Sequence, residues 1–302
     1  MKMRVGGLQV RPFRILIFVV MLSPLLAVNL RAQDRNATQG GGTGRAIAPK
    51  DLTGYWVSVV NENWRWRMTV PDKSDYVNVP LTAEGRKVAD TWEPGKDQAA
   101  ADQCKPYGAA ALMNVPGRLH ISWQDDNTLR IDTDSGTQTR LLHFGGSAPE
   151  SKAADWQGYS IASWGDENQP IDQRIGGGGP EGQGGPEYEN QVPIGAGGPS
   201  EQAPAAAPAR KKLRETYLKV TTTRMRPGYL RRNGIPYGTN AKLEEFYTTY
   251  TDPFRNDTWL MVTIVVTDPQ YLIEPYISHA HFKKIADGSG WDPTPCRADQ
   301  PR

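Results

Sequence analysis

The sequence predicts a mainly β fold, an antiparallel β-barrel or sandwich with one or two short helices and a long insertion, and three observations support it. Apolar and polar residues alternate in about ten segments, as in strands with one buried face. Gly, Pro, Asn and Asp cluster between these segments, as in turns between antiparallel strands. A clear helical pattern occupies only residues 80–92. Many short strands with few helices are typical of barrels and sandwiches.

The first 32 residues have the pattern of a secretory signal peptide. An apolar run at residues 15–28 follows four basic residues, Lys2, Arg4, Arg11 and Arg14. The run is short for a bilayer span and polar sequence follows it, which favours cleavage. An uncleaved anchor is the alternative, because Leu30 makes the cleavage site imperfect. We expect a secreted or periplasmic protein with no stable membrane span after signal removal.

The charge of the processed chain excludes one class of partner. The whole sequence has 35 Lys and Arg against 33 Asp and Glu. Residues 1–32 hold five of the basic residues and no acid, which leaves 30 against 33 and a net charge of −3. A near-neutral protein offers no electrostatic basis for nucleic-acid binding, so we expect no nucleic-acid partner.

The segment 118–144 predicts a three-stranded meander. Its apolar residues alternate with polar ones, so they share one face of each strand. A three-residue loop at 125–127, with Asn127 in the left-handed conformation, would pair Trp123 with Leu129 and Ile121 with Ile131.

The other elements follow in chain order. Residue 51 begins the folded part with a strand that contains Trp56, and Trp64, Trp66 and Met68 alternate with polar residues in a predicted second strand. The helix at 80–92 has Thr82 as its N-cap, and a second short helix is expected at 96–103. Later strands are predicted at 156–164, 213–225, 242–250, 258–267 and 271–283.

Two segments have the composition of disordered chain. Residues 33–50 read as a tether, and residues 166–211 are a Gly/Pro/Ala-rich insertion. We assign 51–165 and 212–298 to a single β-rich domain that the insertion interrupts. The insertion has no phosphate-loop motif followed by a helix, and no cofactor is expected.

The two cysteines, Cys104 and Cys296, predict a disulfide. Exported proteins meet oxidising conditions, and neither cysteine belongs to a Cys-x-x-Cys pair. Two unpaired buried thiols are the alternative.

The segment 224–237 is chemically the most unusual part of the chain, because Arg224, Arg226, Arg231 and Arg232 are interleaved with Tyr229 and Tyr237. Arginine forks and aromatic faces suit a carboxylate, phosphate or sugar. We name as candidate ligand-binding residues Trp64, Trp66, Arg224, Arg226, Tyr229, Arg231 and Tyr237. An aromatic-lined cleft would use Trp56, Trp64, Trp66 and Trp123. The alternative is a solvated loop whose tyrosines pack on the barrel rim.

Catalytic and metal sites have weaker signals. His279 and His281 share one strand face, and His120 could add a third ligand, but a solvent-facing strand surface is favoured over a metal site. The face of His143 stays open, because its strand can pair in two registers. Four carboxylates near strand ends could serve a hydrolase, Glu244, Glu245, Asp268 and Glu274. No Gly-x-Ser-x-Gly elbow is present.

Several sequence blocks resemble a family of secreted bacterial proteins of uncharacterised function. The blocks are residues 52–56 (Leu-Thr-Gly-Tyr-Trp), 80–85 (Pro-Leu-Thr-Ala-Glu-Gly), 104–108 (Cys-Lys-Pro-Tyr-Gly), 156–164 and 267–271. The resemblance implies an exported, strand-rich domain and carries no catalytic residue to transfer. The chain departs from the pattern after residue 164, where the insertion intervenes. The Gly-x-Trp opening is also similar to lipocalin-like barrels.

These observations favour a binding module over an enzyme. We expect a small-molecule, sugar or lipid ligand in an aromatic-lined β cleft. An extracytoplasmic hydrolase, with or without a metal ion, and an envelope scaffold protein are the alternatives. Convergent His, Asp or Glu side chains in a pocket would favour the hydrolase, and a filled core without any pocket would favour the scaffold.

Overall fold

A computed structural model of the chain describes residues 42–166 and 216–299. Its strands are β1 (Gly54–Val59), β2 (Arg118–Asp125), β3 (Thr128–Thr133), β4 (Ser135–Gly136), β5 (Gln138–Phe144), β6 (Tyr159–Asp166), β7 (Thr216–Thr223), β8 (Gly228–Arg231), β9 (Ile235–Tyr237), β10 (Lys242–Thr251), β11 (Thr258–Thr267), β12 (Tyr276–Ile285) and β13 (Thr294–Pro295). Its helices are α1 (Trp64–Arg67), α2 (Ala83–Asp90), α3 (Pro94–Ala99) and α4 (Ala109–Leu112), with a 3-10 turn at Lys105–Tyr107.

Nine strands close into a barrel in the order β1-β12-β11-β10-β7-β6-β5-β3-β2, with β2 paired back to β1. Neighbours are antiparallel except β5 and β6, which are parallel. The predicted mainly β fold is confirmed, and of the two predicted architectures the protein has the barrel. Strands β8 and β9 form a separate hairpin, whose Leu230, Ile235 and Tyr237 belong to the same apolar cluster as the barrel interior.

The helix predicted at residues 80–92 is present as α2. Its N-cap forms as expected, because the Thr82 hydroxyl accepts a 3.0 Å hydrogen bond from the Gly85 amide. Helix α3 occupies part of the second helical segment.

The strand predicted at Trp64, Trp66 and Met68 is wrong, because these residues lie in and beside α1. Asn63 adopts a left-handed conformation, and its carbonyl accepts hydrogen bonds from the amides of Trp66 and Arg67. The helical turn reverses the expected burial: Arg67 is only 3% exposed, whereas Trp64 is 64% exposed.

The register of the meander is confirmed, but its loop differs from the prediction. Trp123 pairs with Leu129 and Ile121 with Ile131, as alternation required. A bulge after Trp123 leaves two residues in the loop, and Asn127 does not adopt a left-handed conformation. Its side-chain oxygen instead accepts a 2.8 Å hydrogen bond from the amide of Gly44. Local sequence could not indicate this contact, because the two residues are 83 positions apart.

The third strand of the meander takes the register that turns Arg140 inward. Ile131 pairs with Arg140 and Leu129 with Leu142, so His143 faces outward and stacks on Tyr159 at 4.6 Å. Alternation on β5 therefore places a cation among apolar side chains inside the barrel.

The barrel interior is filled with side chains. Large buried residues come from many strands and include Trp56, Ile121, Ile131, Leu142, Tyr247 and Phe282. Arg140 and Glu245 form a fully buried ion pair across this interior, with Nη2–Oε2 2.6 Å and Nη1–Oε1 2.9 Å. Burial by itself lowers the pKa of Arg140, but the Glu245 carboxylate outweighs this and the net shift is upward.

The predicted disulfide between Cys104 and Cys296 is confirmed, with Cα atoms 5.0 Å apart. The bond holds the C-terminal tail, in which β13 pairs in parallel with β4. It joins positions 192 residues apart, so it encloses most of the barrel.

The segment before the barrel is ordered where the structure describes it. Residues 42–50 belong to the predicted tether, yet the Arg45 amide donates to Asp126 and the Trp164 indole donates to the Gly44 carbonyl at 3.2 Å. The signal peptide, the rest of the tether and residues 167–211 of the insertion lie outside the described residues. Strands on both sides of the insertion belong to one barrel, where Asp166 pairs with Thr216. Among the described residues, no helix is long and apolar enough to cross a membrane.

Candidate functional site

A small pocket with three arginines lies at the barrel end where β1 ends and β12 begins. We call it the arginine pocket, and its volume is about 30 Å³. Its lining is Asn63, Trp66, Arg67, Pro106, Ala111, Asn114, Val115, Leu230, Arg231, Arg232 and Tyr276, from α1, α4, β8 and β12 and the chain beside them. No Asp or Glu belongs to this lining. A cavity of this size holds about two or three water-sized groups.

Arg67 is a deeply buried cation in the arginine pocket. Its Nε donates to the Asn114 carbonyl at 2.9 Å and its Nη2 to the Ser58 hydroxyl at 3.2 Å. Its Nη1 is buried and has no hydrogen-bond partner among the described residues. The Oδ1 of Asn114 is likewise buried without a partner. Because buried polar atoms are nearly always paired, this donor and this acceptor are left for a water or a ligand.

The other two arginines are held in place by the protein backbone and by aromatic rings. Arg231 lies over Trp66 with its guanidinium carbon 4.3 Å from the ring centroid, and its Nη1 donates to the Val77 carbonyl at 2.7 Å. Arg232 donates to the Arg67 carbonyl. The carbonyl partner of Arg231 leaves its guanidinium charge uncancelled, and ring stacking keeps the Arg231 plane fixed.

Burial of the arginines shifts their proton affinities. It lowers the pKa of Arg67 to about 10, while the exposed carboxylate of Glu62 acts in the opposite direction. Burial also lowers the pKa of Arg232 to about 10, and Arg67 adds to this by repulsion. Both groups stay charged at neutral pH, so the pocket concentrates positive charge in a partly desolvated place. An anion bound there would relieve this unfavourable burial.

The predicted ligand-binding residues are divided among several places. Trp66 and Arg231 line the arginine pocket, and Trp64 is exposed beside it on α1. Tyr229 and Tyr237 line a second pocket, which also contains Trp92 and Tyr271.

The remaining two predicted arginines have protein partners elsewhere. Arg224 has a left-handed backbone and donates to the carbonyls of Pro149 and Lys152. Arg226 stacks on Trp156 at 4.0 Å and donates to Asp102 at 3.0 Å.

The expected cleft lined by four tryptophans is wrong. Trp56 is fully buried in the filled barrel interior, where its indole donates to the Leu52 carbonyl at 3.0 Å. Trp123 packs on Phe144. Of the four, only Trp66 lines the arginine pocket.

The histidine candidates do not converge. On strand β1, Tyr55 pairs with His120 of β2, whereas His281 of β12 pairs with Val59. His120 and His281 are therefore separated by four residues along β1. His281 meets the Asn61 amide oxygen at 2.7 Å, and His279 meets Thr263 at 3.3 Å. No group of three His, Cys, Asp or Glu side chains within residues 42–166 and 216–299 could hold a metal ion.

The four carboxylate candidates also separate. Glu245 is the buried partner of Arg140, whereas Glu244 pairs with Lys219 and Lys242. Asp268 accepts the amides of Gly238 and Gln270 and so shapes a turn, and Glu274 is exposed.

Sequence reasoning missed Arg67, Asn114 and Tyr276 as lining residues of the arginine pocket. It placed Arg232 in the unusual segment 224–237 but did not name it as a ligand-binding candidate. Arg67 was assigned to the polar face of a strand, and only the helical turn directs it inward. The adjacent pair Arg231-Arg232 was the one available signal of a buried cation. Successive side chains at a strand end point to opposite faces, so one of two adjacent arginines is directed inward. Asn114 reaches the pocket from a different loop, at a distance that local patterns do not encode.

Comparison with models of protein families, with curated proteins and with solved structures finds no match to this chain. The resemblance to secreted bacterial proteins therefore stays a prediction.

Proposed function

We propose that the protein is an extracytoplasmic binding module whose arginine pocket takes a small oxyanion, a carboxylate or phosphate group. The observation that carries the proposal is the Nη1 of Arg67, a buried guanidinium donor without a partner among the described residues. It lies in a pocket with two more arginines and no acidic lining residue. Arginine forks match the oxygens of carboxylates and phosphates in distance and direction.

The size of the arginine pocket limits what enters it. About 30 Å³ accommodates a carboxylate or a small inorganic oxyanion and excludes a sugar ring or an acyl chain. A larger ligand would insert its anionic group and leave the remainder outside, where Trp64 and Met68 are exposed. The unpaired Oδ1 of Asn114 favours an anion that also carries a hydroxyl, such as hydrogen phosphate or a hydroxycarboxylate.

Export is the second part of the proposal. It is supported by the apolar run at residues 15–28 and by the disulfide between Cys104 and Cys296, which persists in oxidising compartments. For the metal-dependent hydrolase alternative, no group of three His, Cys, Asp or Glu side chains that could hold a metal ion occurs within the described residues.

Thermal unfolding with oxyanions tests the binding proposal. Phosphate, sulfate, acetate and lactate are titrated at constant ionic strength, with chloride as the reference salt. At a concentration 100 times Kd, binding stabilises the native state by about 2.7 kcal/mol. For a domain of this size, that raises Tm by about 5 to 10 °C.

Two matched variants separate the pocket from general salt effects. Arg67→Gln removes the buried donor, and Arg65→Gln removes the same charge two residues earlier, where the side chain is 61% exposed. We expect the saturable rise in Tm to vanish in Arg67→Gln and to persist in Arg65→Gln. Equal rises in the two variants, or no saturable rise in the native protein, would contradict the proposal.

A further inference from the structure

The exposed apolar side chains of this protein are concentrated beside the arginine pocket. Among residues 42–166 and 216–299, nine large apolar side chains are exposed. Five of the nine lie in three segments that contact Arg231, a lining residue of the pocket. We call these five side chains the apolar rim: Trp64, Met68, Val77, Ile273 and Ile277.

Arg231 joins the three segments that carry the apolar rim. Its guanidinium carbon lies 4.3 Å from the ring centroid of Trp66 on α1 and 5.8 Å from that of Tyr276 at the start of β12. Its Nη1 donates to the Val77 carbonyl at 2.7 Å. Within the described part of the chain, its Nε and Nη2 have no hydrogen-bond partner, and they are not among the buried unpaired atoms. Solvent, or an anion in its place, therefore reaches these two donors.

The three segments are not basic as a whole. Arg65 and Lys73 are exposed on them, and so are the carboxylates of Glu62, Asp72 and Glu274. Attraction of an anion to this end of the barrel therefore depends on the arginine pocket, which has no acidic lining residue, and not on a broad positive field.

We propose that the arginine pocket and the apolar rim together dock the protein on a membrane surface whose lipids present terminal phosphate groups. The proposal rests on anion binding in the arginine pocket. A pocket of about 30 Å³ admits a phosphate at the end of a headgroup and excludes one that is enclosed between two ester chains. The apolar rim would enter the boundary between headgroups and acyl chains, where tryptophan is favoured.

The exposure of the apolar rim favours a lipid surface over a single bound lipid. Its five side chains are each 52% to 75% exposed and come from three segments, so they project separately into solvent. None of them lines the arginine pocket, so the pocket would not enclose the acyl chain of one lipid. A bilayer surface contacts all five side chains at once and buries them together.

Co-sedimentation with vesicles tests the docking. The vesicles contain phosphatidylcholine alone, or phosphatidylcholine with an equal fraction of phosphatidic acid or phosphatidylglycerol. We expect the strongest binding with phosphatidic acid, because its phosphate is terminal. All variants keep the same N-terminus, so any contribution of the apolar run at residues 15–28 is common to them. Thermal unfolding with glycerol 3-phosphate, the soluble headgroup, reports on the arginine pocket separately.

Matched variants separate the apolar rim from general hydrophobic adsorption. Trp64→Ala should weaken binding to phosphatidic acid vesicles about 10-fold, the order expected for burial of one large apolar side chain. Its Tm without ligand should match that of the native protein, because the ring is exposed. Phe254→Ala is the control: Phe254 is 96% exposed on the turn between β10 and β11, at the opposite end of the barrel, and this variant should bind like the native protein. Arg67→Gln should lose the preference for phosphatidic acid.

The outcomes distinguish the docking from the anion site. A Tm response to glycerol 3-phosphate without binding to phosphatidic acid vesicles would overturn the docking alone, whereas the absence of both would overturn both proposals. Equal binding by Trp64→Ala and the native protein, equal weakening in Phe254→Ala, or a preference for phosphatidic acid that Arg67→Gln retains would also overturn the docking. So would equal binding to phosphatidic acid and phosphatidylglycerol vesicles.

Discussion

Arg67 and Arg140 are both almost fully buried, but their surroundings differ. Arg140 meets the carboxylate of Glu245, whereas the polar partners of Arg67 are a carbonyl and a hydroxyl. Burial lowers the pKa of Arg67 to about 10, while the carboxylate raises that of Arg140. A buried charge with its counter-ion serves the fold, whereas a buried charge without one is a cost that a ligand can offset.

At the residue scale, His143 predicts a dependence of stability on pH. Burial lowers its pKa below the ordinary value, and Asp125 only partly opposes this. The unfolded chain therefore binds a proton at a higher pH than the folded chain does. The contribution of neutral His143 to the free energy of unfolding is fully present above the unfolded pKa of about 6.5. It is lost as the pH falls below that value toward the lower pKa of the folded state.

Urea unfolding at pH 7.5 and pH 5.0 checks this expectation. His143→Gln should lose less stability on acidification than the native protein. Burial lowers the pKa of His281 as well, so adding His281→Gln should reduce the loss further. An unchanged acid loss in the double variant would show that other groups control the transition.

At the element scale, the Arg140–Glu245 pair ties β5 to β10 across the barrel interior. These strands are not neighbours in the barrel order, so the pair is a contact through the core. The Thr222 hydroxyl lies 3.3 Å from Nη2 of Arg140 and 2.7 Å from the Ser160 hydroxyl, which extends the polar contacts onto β6 and β7. The interior is consequently filled with apolar residues and one polar network, and the candidate pockets lie outside it.

Removing one partner of the Arg140–Glu245 pair should lower the free energy of unfolding far more than replacing both partners with apolar residues. Arg140→Met leaves Glu245 buried and unpaired, which should lower the free energy of unfolding by about 3 to 5 kcal/mol. The double variant Arg140→Met/Glu245→Leu should recover most of that loss, because no buried charge remains. Urea unfolding measures both.

The exposed pair Arg130–Asp132 supplies the control. Arg130 is on the outer face of β3 with 41% of its side chain exposed, so Arg130→Met should cost about 0 to 1 kcal/mol. Additive losses for Arg140→Met and Glu245→Leu would refute the coupling across the interior.

At the scale of the whole molecule, the Cys104–Cys296 disulfide closes a loop of 192 residues around most of the barrel. In the loop-closure model, a cross-link of this length stabilises the native state by about 5 kcal/mol. We expect Cys104→Ala/Cys296→Ala to lose stability on that scale and to release the tail strand β13 from β4. Urea unfolding of native and variant protein gives the difference, and a thiol count on unfolded, unreduced protein should find no free thiol. Two free thiols per chain would contradict the bond.

Local patterns were sufficient to predict most of the barrel strands and the buried faces of β2 and β3. Alternation placed Ile121 opposite Ile131 and Trp123 opposite Leu129, because a one-residue slip would expose the apolar set. The capping residue Thr82 and the cysteine pair were also predictable, since capping is local and the number of cysteines was two. These features depend on residues close in sequence, or on chemistry that allows one pairing.

The candidate sites were decided by tertiary structure. Trp64 and Arg67 have the alternation of a strand, but a left-handed Asn63 starts a helical turn that exposes the tryptophan and buries the arginine. Arg67, Asn114 and Arg232 come from three separate segments, and only packing of α1, α4 and the β8–β9 hairpin at one barrel end brings them together.

The sequence by itself therefore determined the mainly β class, the buried faces of β2 and β3 and the disulfide, because periodicity and composition report burial along one element. Tertiary structure alone decided which charges meet an opposite charge and which do not. That outcome depends on distances between segments far apart in the chain, and residue spacing carries no information about them.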